Sequence, residues 1–141
     1  MAKSIDEIQD ELIEEFSLFD DWADKYEYLI DLGKKLPLLS EEFKIEENVI
    51  KGCQSRVWLH AEKKDGELIF EADSEAVIVK GLISMLIRVL SHQSADNILK
   101  ADLYFIDKIG MSQHLAQTRS NGLLSMVKQI KNYALAFSAK V

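Results

Sequence analysis

The residues that staple, stiffen or loosen a chain are scarce here: one cysteine, one proline and six glycines among 141 residues. A single thiol closes no internal disulfide, forms no C-x-x-C redox pair and cannot alone hold a metal or a four-thiolate cluster. With 48% hydrophobic and 29% charged residues, collagen-like, low-complexity and disordered classes are excluded. No apolar run is free of charge over the roughly 18 residues that a membrane span requires. Basic residues are also short, 17 against 24 acidic, for a net charge of -7. That balance argues against nucleic acid, whose binders cluster Lys and Arg to displace counterions. The acidity is local: residues 1–50 hold five basic and fifteen acidic groups, residues 101–141 five and two. It reads first as a solvated helix face and second as a docking surface for a basic partner.

What is present suffices for one domain, 1–141, with a core that needs no staple. The N-terminus "MAKSIDEIQDELIEE" is charged throughout and has no signal-peptide core, and the lone thiol suits a reducing compartment, so a cytoplasmic protein is expected. Ser4 and Glu7 have capping-box spacing, and Ile5, Ile8, Leu12 and Phe16 mark a helix over about 4–17. Asp21 is placed to cap a second helix carrying Trp22, Tyr26, Leu29 and Ile30, stopped by Gly33 and Pro37.

At Arg56 the period changes to two. "RVWLHAEK" and "ELIFEAD" alternate about Asp65-Gly66, a type I′ hairpin signal. Pairing Lys64 with Glu67 puts Val57, Leu59, Ala61, Phe70, Ala72 and Ser74 on a core face, and Trp58, His60, Glu62, Ile69, Glu71 and Asp73 on the other. A further strand within "FKIEENVI" is expected to pair with this hairpin, because two strands alone are rarely stable. "SEAVIVKGLISMLIRVL" then reads as the central helix, capped by Ser74 and apolar except for a stripe of Lys80, Ser84 and Arg88. Short helices at "SADNILKA", capped by Ser94, and "LYFIDKIG", ended by Gly110, precede a long one over about 120–139. The fold class is α+β: a small antiparallel sheet covered on one side by helices.

Cys53 stands before the first strand in "IKGCQSRVW". A free cysteine is ordinarily a small buried hydrophobe. Its neighbours Gly52, Gln54, Ser55 and Arg56 belong to a loop, however, and Lys51 and Arg56 are cations that favour thiolate. Cys–His hydrolysis or transfer stays open, with His60, His92 or His114 as base. A thiolate that accepts a group and hands it to another molecule needs no internal partner.

Three ordered blocks, "GCQSRVWL", "ADSEAVIVKGLI" and "MSQHLAQTRSNGL", together with "KYEYLIDLGKKLP", resemble the SufE family of sulfur acceptors in iron–sulfur cluster assembly, over nearly the whole chain. The resemblance implies a SufE/IscU-like α+β domain, a monomer that binds transiently. Its partners would be a SufS-type cysteine desulfurase and a SufBCD-like scaffold. Cys53 would take the persulfide sulfur from the desulfurase, stimulate that enzyme and pass the sulfur on. Pyridoxal phosphate would belong to the desulfurase; no cofactor or metal is expected here. The cysteine loop would tuck inward at rest and swing out to react.

Gly52, Gln54, Ser55 and Arg56 are then supporting loop residues. Arg119, at the opening of the last helix, is a candidate for the cysteine loop or the partner surface, while Asn121 and Gly122 shape the helix start. Asp73 and Ser74 are candidates for restraining the loop, and His114, in the block "QHL", is a structural histidine or a proton donor. His60 is expected in an exposed pair with Glu71, and Trp58 packed on the second sheet face.

Overall fold

The computed structural model describes residues 3–139. Its order is α1 (Ile5–Phe16), α2 (Trp22–Lys34), 3-10 turns at Glu41–Phe43 and Glu46–Asn48, β1 (Val57–Lys64), β2 (Glu67–Ser74), α3 (Val77–Leu90), α4 (Ala95–Lys100), α5 (Phe105–Ile109), α6 (Met111–His114) and α7 (Gln117–Ala139). The chain is thus an α+β fold, seven helices and one two-stranded antiparallel sheet among the described residues.

The N-terminal signals act as expected. Ser4 and Glu7 form the reciprocal capping box of α1, and Asp21 accepts the Asp24 N–H at the start of α2. These contacts satisfy donors that a helix start leaves orphaned. Ser94 caps α4 and Gly110, at φ 94°, ends α5. The hairpin register is the one its turn dictates, Val57 opposite Ser74 through Lys64 opposite Glu67, with positive φ at both Asp65 and Gly66. Val57, Leu59, Phe70 and Ala72 are buried on the core face against α3.

Four expectations are corrected. Gly33 does not stop α2: it lies inside the helix against Gly81 of α3, where a Cβ on Gly33 would stand 2.8 Å from the Gly81 nitrogen. The segment "FKIEENVI" adds no strand. Asn48 donates its side-chain amide to the Phe43 carbonyl, holding the segment in turns, and a single bridge joins Val49 to Trp58. The segment instead covers the second sheet face, so Trp58 is buried and Phe43 stacks on His60. Ser74 ends β2 and does not cap α3, whose cap position is Ala76 with no side-chain bond. Asn121 and Gly122 are within α7, which starts at Gln117, rather than at its start.

The polar stripe of α3 is partnered throughout. Lys80 pairs with Asp73, Ser84 donates to the Leu32 carbonyl, and Arg88 forms a two-pronged pair with Glu15. A helix buried over most of its circumference needs such partners for its few polar groups.

Candidate functional site

Residues 51–56 form a loop pinched at its base, where the Ile50 N–H donates to the Val57 carbonyl at 2.8 Å. Its other end is held at Arg56. The Arg56 carbonyl accepts from the Ser74 hydroxyl at 2.9 Å and from the Glu75 N–H at 3.4 Å. Ser74 also accepts the Ala76 N–H, so one hydroxyl ties the loop's end to the approach of α3.

Between those points the loop rests on α7. Gly52 has φ +96°, a left-handed backbone that favours glycine. A Cβ there would also fall 2.4 Å from the Ser125 hydroxyl. Cys53 is half-buried, with its thiol directed at the Gly122 carbonyl over 3.6 Å, a weak sulfur hydrogen bond. Gly122 faces the thiol closely: a Cβ on it would lie 3.5 Å from Sγ, at ordinary van der Waals distance. Cys53 opens onto a cavity of about 520 Å³ whose lining includes Gln54, Ser55, Val77, Thr118, Arg119 and Met126. Among the described residues no acidic side chain lines this cavity, in a chain whose net charge is -7.

Burial raises the Cys53 pKa above the ordinary thiol value, because a thiolate loses solvation there. The expectation that Lys51 and Arg56 favour thiolate is therefore corrected. Lys51 is exposed, and the Arg56 guanidinium lies over the Trp58 ring, 5.9 Å from its centroid. The resting site disfavours the thiolate.

Asp73 lies beside the loop's anchored end. Burial disfavours its charge, but hydrogen bonds from Lys44, the Ser74 N–H and Lys80 outweigh that and hold its carboxyl below the usual range. Lys44 reaches it at 3.1 Å and Lys80 at 3.2 Å. The structure thus brings Cys53, Gln54, Ser55 and Arg119 to one cavity, Gly52 to the loop's seat, and Arg56, Asp73 and Ser74 to its anchor.

His114 is elsewhere. Its ring stacks on Trp22 at 4.1 Å and its carbonyl accepts the Tyr26 hydroxyl. His60 contacts Glu62 and Phe43, and His92 has positive φ after α3. None of the three histidines lines the Cys53 cavity, which leaves Cys–His hydrolysis without a base. Sequence reasoning missed Lys44 and Ser125. Lys44 carried no signal, whereas the period that buries Met126 in α7 also turns Gly122 and Ser125 to that side.

Fold and site together define a small α+β domain that presents one sheltered thiol on a tethered loop. Residues 10–134 match the SufE family, described as an Fe–S metabolism associated domain. An uncharacterized SufE-like protein of Rhizobium meliloti is 42% identical over 130 residues, covering 89% of this chain and 93% of that one. One of Rhizobium etli is 42% identical over 130 residues, covering 89% and 88%. The chain belongs to the SufE family and its metabolism is that of iron–sulfur clusters. The solution structure of a hypothetical protein from Thermus thermophilus superposes with TM-score 0.75 over 92% of this chain and 94% of that one. At 18% identity it speaks to fold alone. No described helix is long and apolar enough to cross a membrane.

Proposed function

We propose that this chain is a sulfur acceptor: Cys53 takes the outer sulfur of a persulfide on a SufS-type cysteine desulfurase, stimulates that enzyme and delivers the sulfur to a SufBCD-like cluster scaffold. The reading rests on one observation, a sole thiol half-buried at a cavity on a loop with few tethers. Leaving that seat puts the thiol in water, where the desolvation that raises its pKa is relieved. The Cys53 thiolate then attacks the outer sulfur of the donor persulfide. A new S–S bond forms at Cys53, the old S–S bond breaks, and its electron pair leaves on the desulfurase cysteine as thiolate. The sulfane sulfur changes carrier at constant oxidation state, so no external oxidant is required. Pyridoxal phosphate serves the donor enzyme; this chain supplies only the acceptor thiol and its shelter. Gln54, Ser55 and Arg119 are the side chains placed to meet the loaded sulfur or the partner's approach.

Incubation with a desulfurase and cysteine, followed by intact-protein mass spectrometry, should show one added sulfur atom on Cys53. Cys53→Ser should abolish both the addition and the stimulation. Wild-type protein that stays unmodified with every desulfurase of its own cell refutes the reading. Stimulation that survives in Cys53→Ser makes the chain a binding module.

A further inference from the structure

The second face of the hairpin, whose register puts His60 opposite Glu71 with Glu62 two residues along β1, gathers side chains the thiol chemistry does not use. We propose that His60, Glu62 and Glu71 bind a first-row divalent transition ion of the zinc class, with solvent completing its coordination. One ligand atom from each lies within 4.8 Å of the other two. Zinc holds imidazole nitrogen and carboxylate oxygen at about 2 Å, which sets tetrahedral ligand atoms about 3.3 Å apart. The 2.9 Å between His60 Nε2 and Glu62 Oε1 is already near that spacing, and small rotations of the flexible glutamates bring in the third ligand.

Two observations separate this group from a chance surface cluster. The His60 ring is fixed by face-to-face stacking on Phe43, 3.6 Å between centroids and 13° between planes, so one ligand is set before an ion arrives. Glu71 is half-buried, yet its side chain makes no hydrogen bond or ion pair among the described residues. It faces a second carboxylate, and a shared cation relieves that repulsion. The mixed nitrogen and oxygen donors favour zinc, nickel or copper over magnesium and calcium, which take oxygen alone. An ion there joins β1 to β2 across a sheet of only two strands, the arrangement that gains most from a cross-link.

The test is calorimetric titration of the full chain with zinc chloride, in a Cys53→Ser background so that the thiol does not compete. One saturable site is expected, with a rise in Tm and NMR shifts of the His60 ring protons. Glu71→Gln removes no existing contact, so it should fold normally and weaken zinc at least about tenfold. His60→Gln should do the same, and excess magnesium should not compete. No saturable heat, undiminished affinity in Glu71→Gln, or shifts at His92 or His114 instead of His60 would each overturn the proposal.

Discussion

Two places in this molecule bring elements close through glycine, and they differ in what the glycine touches. Where α2 crosses α3, backbone meets backbone. A Cβ on Gly81 would fall 2.4 Å from the Leu29 carbonyl oxygen and 2.8 Å from Leu29 Cγ, and one on Gly33 would meet Gly81 itself. Where the cysteine loop rests on α7, Gly52 and Gly122 each meet a side chain, Ser125 and Cys53. A backbone contact inside two packed helices has nowhere to go, whereas a side chain can rotate or leave. The first contact is locked and the second releasable. If the thiol leaves its seat to react, as proposed above, the domain needs both to do so without unfolding.

The comparison breaks if the crossing tolerates a methyl group. Gly81→Ala gains about 1 kcal/mol of helix propensity, but forcing Cβ against the Leu29 backbone separates two helices of the core, at a cost of up to about 3 kcal/mol or more. The net loss should lower Tm by several degrees, at roughly 3 °C per kcal/mol for a chain of this size. Thermal unfolding followed by circular dichroism reads it directly. An unchanged Tm would mean that the crossing is not tight.

A smaller effect concerns the loop's anchored end. Asp73→Asn leaves Lys80 without its counter-charge and Lys44 with Glu41 alone, and should cost about 1.5–3 kcal/mol at pH 7. The pH dependence has a definite sign. The Asp73 carboxyl is depressed in the folded state, so its contribution is full above its unfolded value of about 3.9 and is lost as pH falls through the lower folded value. The stability gap between wild type and Asp73→Asn, from urea unfolding, should therefore hold from pH 7 to 5 and narrow below about pH 4. A gap that stays constant to pH 3 would detach Asp73 from its lysines.

This contrast also divides what was legible in the sequence from what was not. Ser4, Asp21, Ser94 and Asp65-Gly66 act on groups within a few residues, and the caps and hairpin register followed from them. Gly33 read as a helix stop because its true partner is 48 residues away in α3, and a glycine at a crossing has the same one-letter signature as one at a terminus. Ser74 read as a cap because the sequence cannot reveal that the Arg56 carbonyl, 18 residues earlier, competes for its hydroxyl. Cys53 stands out by its solitude, Gln54 and Ser55 by adjacency to it in the loop, and Arg119 through the family resemblance of its block. That Cys53 faces Gly122, 69 residues on, required the packing of the loop on α7.

The sharpest probe of the releasable contact is Gly122→Ala, where the expected stability change is smallest and of opposite sign. Gly122 is inside α7, and alanine there should stabilise the helix by up to about 1 kcal/mol. The new Cβ would sit 3.5 Å from Cys53 Sγ, an ordinary contact that displaces nothing. Shelter of the resting thiol should rise slightly, so alkylation by a small reagent, which in wild type should already show a midpoint above the free-thiol value of about 8.5, should slow at every pH. A second sulfur on Cys53 is another matter, because its added atom needs space beside a contact already at van der Waals distance. If Cys53 carries sulfur as proposed, Gly122→Ala should therefore unfold later than wild type yet hold that sulfur less well, losing it faster to a small thiol in solution. If it is more stable and equally retentive, the loaded sulfur points into the cavity toward Arg119, and Gly122 serves only the empty state.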